Sequence, residues 1–97
     1  FIFVKSDKKL IKLHFGDINH VEAYGNYIKI HADTMILSPQ TLSDFLTKLP
    51  DSFVRIHKSF LINFDKLKLI DGNQIILDNS TTLIIGKSYK KAVLDRI

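Results

Sequence analysis

The 97-residue chain contains no cysteine, one glutamate, two prolines and two arginines. Without cysteine there is no disulfide framework and no thiolate–metal site, a composition compatible with the cytoplasm. Glu22 stands alone beside nine aspartates, most of them in turn-forming stretches, so no carboxylate pair suggests acid–base chemistry. There is no Gly-x-Ser-x-Gly elbow, no Walker loop and no Gly-x-Gly-x-x-Gly, which removes support for hydrolase, nucleotide-binding and dehydrogenase readings. No enzyme is expected. His14, His20, His31 and His57 show neither His-x-x-x-His spacing nor a cysteine partner, so no metal site and no cofactor is expected either. No apolar run approaches the roughly 20 residues that cross a bilayer, and Phe1-Ile2-Phe3-Val4-Lys5 has neither a charged leader nor a cleavage site. The chain instead opens inside a strand pattern, from which a preceding domain is expected.

What is present suits one small folded domain spanning residues 1–97. Hydrophobic residues make up 45% of the sequence, enough for a single core at this length. The net charge is +4, carried by twelve lysines, and a basic balance of this kind favours a polyanionic partner.

Hydrophobic alternation with a period of two dominates the chain. Phe1 to Lys5 and Leu10 to His14 flank the turn Ser6-Asp7-Lys8-Lys9 and predict an opening hairpin. His20 to Tyr24 and Tyr27 to Ala32 flank Gly25-Asn26, two residues that tolerate positive φ, and predict a second. Met35 to Leu37 adds a short strand. Leu67 to Ile70, Gln74 to Leu77 and Thr81 to Ile85 form a meander around Asp71-Gly72-Asn73 and Asp78-Asn79-Ser80. Two stretches break the pattern. Ser38-Pro39 reads as a helix start with Ser38 as cap, followed by a stripe of Leu42, Phe45, Leu46 and Leu49 that Pro50 stops. Tyr89, Val93 and Ile97 recur at helical spacing, with Lys90 and Lys91 on the polar face. The expected fold is mainly β: nine or ten short antiparallel strands in small packed sheets, one mid-chain helix and a short C-terminal helix.

At the centre lies Phe53-Val-Arg-Ile-His-Lys-Ser-Phe-Leu-Ile-Asn63, which reads as strand, polar turn, strand. Val54 and Ile56 should form an apolar face, with Arg55 and His57 on a charged one. The turn presents Lys58 on a rigid platform, and His57 is expected to fix that turn by hydrogen bonds. Three turns carry cations or amides: Asn26 with Tyr27 and Lys29, Arg55 with Lys58, and Lys87 with Ser88, Lys90 and Lys91. These are the residue types that hold phosphates and reach base edges. They are also ordinary surface residues, and the pattern alone leaves open a β-sandwich module that binds protein or an anionic ligand. Single-strand binding would need Tyr24, Tyr27 or Phe60 in solvent, and these are expected mostly in the core.

The central motif closely resembles the signature of the LytTR domain, the DNA-binding output module of LytR/AlgR-type bacterial response regulators. Ile18-Asn-His-Val-Glu22-Ala-Tyr-Gly25-Asn26-Tyr27-Ile-Lys-Ile, Thr41 to Pro50 and Leu83 to Tyr89 resemble its other segments, in the same order. The resemblance implies a cytoplasmic transcription regulator of a two-component system whose loops read successive major grooves of double-stranded DNA and bend it. It places base readout at Asn26, Lys58, and Lys87 or Ser88. Tyr27, Lys29, Arg55, His57, Ser59, Lys90 and Lys91 then hold phosphates or support the loops. It further implies an N-terminal receiver domain, paired repeat half-sites on DNA, and an isolated domain that is monomeric. The closing loop departs from the family pattern, reading Gly86-Lys87-Ser88 where Ser is often followed by Arg, and lysine lacks arginine's bidentate fork.

Overall fold

The structure, a computed structural model, describes residues 1–97 and holds ten strands and two short helices. Strands β1 (Ile2–Ser6) and β2 (Lys9–Leu13) form the opening hairpin, closed by Asp7 and Lys8, both at positive φ (46° and 64°). Such a turn matches the right-handed twist of the strands it joins. A 3-10 turn at Phe15–Asp17 leads into β3 (His20–Tyr24), β4 (Tyr27–His31) and β5 (Met35–Ser38). Helix α1 (Leu42–Leu46) follows, then β6 (Phe53–His57) and β7 (Phe60–Asn63). A second 3-10 turn, Phe64–Lys66, precedes the meander β8 (Leu67–Asp71), β9 (Gln74–Leu77) and β10 (Thr82–Ile84). The chain ends in a 3-10 turn, Lys87–Tyr89, that runs into α2 (Lys90–Leu94).

The strands sort into three antiparallel sheets: β1-β2, β10-β9-β8, and the five-stranded β5-β4-β3-β7-β6. The large sheet is the scaffold. On one face Val21, Ile28, Ile30, Ile36, Phe53 and Leu61 meet Val4 and Leu13 of the hairpin and Leu42 and Phe45 of α1. On the other, Val54, Ile56 and Ile62 meet Ile75, Leu77, Leu83 and Ile85 of the meander and Val93 of α2. Strands β6 and β7 are therefore buried from both sides. Val54 and Ile56 form the expected apolar face of β6 in the second core; Arg55 is half-buried, with Phe53 filling the first core beside it, and half-buried His57 pairs with Phe60 past a shift in register.

Four other expectations need correcting. The helix cap is Thr41, whose hydroxyl accepts from the Asp44 amide at 3.0 Å; Ser38 stays in β5, paired with Ile28. The helix ends at Leu46, well short of Pro50, and Leu46 and Leu49 are only half-buried. At the C-terminus Val93 is fully buried but Ile97 is 80% exposed, so the last stripe holds one anchor rather than three. Arg96 compensates by donating to the backbone carbonyls of Asp51 and Phe53, which ties α2 to the segment leading into β6. Tyr24 and Tyr27, expected in the core, are about half exposed (54% and 47%). The meander covers only the β6-β7 side of its face, leaving Tyr24 at the end of β3, Tyr27 of β4, and Met35 and Leu37 of the edge strand β5 in solvent there.

Candidate nucleic-acid interface

Strand pairing decides where the turns fall. Glu22 of β3 is paired with Phe60 of β7, and just beyond them the Ala23 amide donates to the Ser59 carbonyl at 2.8 Å. The β3–β4 turn thus lies beside the β6–β7 turn. The third turn is drawn in by the Gly86 amide, which donates to the Ile56 carbonyl at 2.7 Å. A Cβ at Gly86 would stand 3.3 Å from His57 Cα and 3.0 Å from the Tyr89 ring, so the closing loop lies directly on the end of β6. The residues that follow it, Lys87 and Ser88, are exposed. Asn26, Lys58, Lys87 and Ser88 therefore sit on three neighbouring turns at one end of the scaffold.

The middle turn is heavily braced. Arg55 donates from Nε to the His57 carbonyl (3.3 Å), from Nη2 to the Lys58 carbonyl (2.5 Å) and from Nη1 to Ser43 Oγ (2.9 Å). His57 Nδ1 accepts from the Ser59 amide at 3.0 Å, as expected of it, and its ring leans on Phe60 with centroids 5.2 Å apart. An accepting Nδ1 places the proton of the neutral imidazole on Nε2. Arg55 spends its donors on backbone and hydroxyl groups, which makes it a brace, while the Lys58 side chain projects into solvent.

Flanking residues are divided. Lys29 Nζ lies 4.0 Å from the Tyr24 ring centroid, a cation–π contact that holds both on the uncovered sheet face next to exposed Tyr27. In the β3–β4 turn only Gly25 takes positive φ (59°); Asn26, which was expected to share that freedom, does not. Lys90 donates to Asn73 Oδ1 at 2.8 Å and is tethered to the β8–β9 turn; Lys91 is exposed and unbound. Sequence reasoning missed Asn73, Ser43 and the contact at Gly86, since each depends on residues distant in the chain that only the fold brings close. Asn63 was visible as the last residue of the motif, but not its role. Its Nδ2 donates to the carbonyls of Phe15 (3.3 Å) and Ile18 (3.1 Å), and its Oδ1 accepts from Asp65 (3.1 Å).

Electrostatically, the turns are free. The sole acid–base contact within 4.0 Å is His31 Nε2 to Glu22 Oε1 at 3.3 Å, so none of the lysines or arginines is paired with a carboxylate. No group of three or more His, Asp or Glu is placed to hold a metal ion. No helix is long and apolar enough to cross a membrane. Filling the space at Gly86 tests the convergence of the turns. Gly86→Ala should cost about 1–3 kcal/mol by overpacking against His57 and Tyr89, read as a lower midpoint in thermal denaturation. A midpoint equal to the parent's would mean that the closing loop is not seated on β6.

This is the arrangement of a binding module: a rigid β scaffold that holds unpaired cations and amides on adjacent turns. Comparison with known proteins makes the class specific. A family model of the LytTr DNA-binding domain matches residues 8–97, and the chain belongs to that family. Among solved structures it is similar to the LytTr DNA-binding domain of a Bacillus cereus protein described as a methyl-accepting/DNA response regulator. The two are 24% identical, the match covers 97% of this chain and 93% of that one, and the TM-score is 0.83. At that identity the likeness speaks for the fold. No curated protein matches the chain.

Proposed function

We propose that this domain binds double-stranded DNA sequence-specifically, reading base edges with Asn26, Lys58 and the Lys87-Ser88 loop. The observation that carries the reading is the gathering of three turns, with no carboxylate partner for any of their cations, at one end of the scaffold. No helix here could serve as a groove reader, since each has five residues. Loops take that part. The turns enter successive major grooves, which lie about one helical turn (~34 Å) apart on straight DNA. Bending the duplex toward the protein shortens that distance, so readout by this module goes with a bend. Arg55, His57 and Ser59 support the Lys58 turn, while Tyr27, Lys29, Lys90 and Lys91 flank the bases and hold phosphates. In the cell the domain serves as the cytoplasmic output module of a two-component transcription regulator, with a receiver domain on its N-terminal side. It is monomeric alone and occupies paired half-sites as two copies. The competing reading, a module for protein or small anionic ligands, predicts no preference among duplex sequences.

Truncation of side chains separates readout from charge. The Lys58 backbone is held by Arg55, so Lys58→Ala should leave the turn intact. Loss of a base contact at Lys58 or Asn26 should cost about 1–3 kcal/mol on a site selected from random duplexes and relax one position. Lys91→Ala should weaken selected and scrambled duplexes alike. Lys90 is the poorer probe, because removing it also releases Asn73. If Lys58→Ala and Asn26→Ala weaken both duplexes equally, neither residue reads bases. If the parent shows no preference between the duplexes, sequence-specific binding itself is wrong.

A further inference from the structure

The lysines are not spread evenly outside the three turns. The β1–β2 hairpin, Ile2 to Leu13, holds four of them (Lys5, Lys8, Lys9 and Lys12) against one aspartate, a net +3 of the chain's +4. All four are exposed and none meets a carboxylate. The inner face of the hairpin, Val4 and Leu13, belongs to the first core, which fixes the hairpin to the large sheet. Its base stands beside Asn63, through the bond from Nδ2 to the Phe15 carbonyl, at the end of β7 away from Lys58. Its tip lies elsewhere. Ser6 and Asp7 line the same open groove, about 560 Å³, as Met35 and Leu37 of β5 and Tyr27 of β4. Thr34 and Ile36 line it too, so the hairpin tip stands against the edge strand β5, in a groove that also reaches Tyr27, the neighbour of Asn26.

The tip also carries an unusual choice of residue. Turns with two positive φ values are best filled by Asn-Gly or Asp-Gly, because a side chain costs energy in the left-handed region. Here Asp7 is followed by Lys8 at φ 64° and then by Lys9. A glycine would close this hairpin with less strain, and the chain keeps a cation instead. Backbone strain of this kind tends to mark positions retained for function.

We propose that the β1–β2 turn is a fourth DNA-contacting element, in which Lys8 and Lys9 hold phosphates beside the duplex segment met by the β3–β4 turn. This rests on the duplex-binding reading above and extends its contact surface past Tyr27. The groove between the hairpin tip and β5 is too small to admit a duplex, so the phosphates lie along its rim, within reach of flexible lysine stems that act as point charges. Contacts of this type position the protein and carry no sequence information.

The test uses the 97-residue chain, a duplex bearing the selected site and a scrambled duplex, titrated across a salt series. Lys8→Ala combined with Lys9→Ala should reduce the slope of log affinity against log salt by roughly 1–2, since each lost phosphate contact releases one counterion fewer. Both duplexes should weaken by the same factor, leaving their ratio unchanged. Lys8→Gly removes the cation while easing the turn. It should melt no lower than the parent and lose about one unit of slope, which separates charge from folding. Lys68→Ala, on exposed β8 outside the four turns, serves as the control and should leave the slope unchanged. The proposal is overturned if the double variant keeps the parent's slope, or if Lys68→Ala lowers it equally. Failure of the parent to bind either duplex would instead overturn the duplex-binding reading, and this proposal with it.

Discussion

Phe45→Ala should remove about 3–5 kcal/mol of stability, a large part of the roughly 5–15 kcal/mol that holds a domain of this kind together. Phe45 is fully buried, and helix α1 that carries it has only five residues. A helix so short has no stability of its own in water, so it persists because Phe45 and Leu42 anchor it in the first core. Truncating the ring leaves a cavity under β3 and loosens Ser43, the residue to which Arg55 Nη1 donates. DNA binding then falls through unfolding and loss of that brace. Leu46 is only half-buried, and Leu46→Ala should cost about 1–2 kcal/mol, below the range for a fully enclosed leucine. Urea titration of both variants checks the ranking. A Phe45→Ala variant within about 1 kcal/mol of the parent would mean that α1 is not packed as described.

The strands and their turns were legible because their signals are local. Alternation and the turn residues Asp7-Lys8, Gly25-Asn26, Gly72 and Asn79-Ser80 put every strand within a residue or two of its place. The start of α1 was misread for the opposite reason. Ser38-Pro39 is a sound cap signal in isolation, but Ser38 is claimed by the sheet through its pairing with Ile28, and the cap passes to Thr41. The exposure of Tyr24 and Tyr27 was equally out of reach. Alternation says which side of the sheet they share, whereas coverage depends on how far the meander extends over that side. Likewise, the sequence marked Asn26, Lys58 and Lys87-Ser88 as turn residues, yet their proximity rests on the Ala23–Ser59 and Gly86–Ile56 bonds between distant segments. Their exposure also revives a question the sequence had set aside, since Tyr24 and Tyr27 could stack on unpaired bases. Competition between duplex and single-stranded forms of one sequence answers it, with duplex expected to win.

At the opposite end of β3 from Tyr24 lies the source of an expected acid sensitivity. His20 is buried, stacks on His31 with ring centroids 4.1 Å apart and nearly parallel planes, and its Nδ1 has no hydrogen-bond partner. Burial pushes its pKa down from 6.5 to about 4; His31 pushes in the same direction, and Glu22, which faces His31, weakly opposes both. Above pH 6.5 His20 is neutral whether the chain is folded or not, and it adds nothing to the pH dependence of stability. Between 6.5 and 4 the unfolded chain takes up a proton that the folded chain refuses, so stability falls with falling pH, by up to about 1.4 kcal/mol per unit. Below about 4 both states carry the proton and the loss levels off. Carboxylates elsewhere add their own acid response, so the contribution of His20 is read as a difference between two proteins. His20→Leu deletes both the titrating ring and its unpartnered nitrogen, and should match the parent within about 1 kcal/mol at pH 7.5. At pH 5 the parent should have lost about 2 kcal/mol more than the variant, measured by urea titration at the two pH values. Equal losses in parent and variant would show that His20 takes up its proton in the fold as readily as in the unfolded chain, and that its burial leaves the imidazole unperturbed.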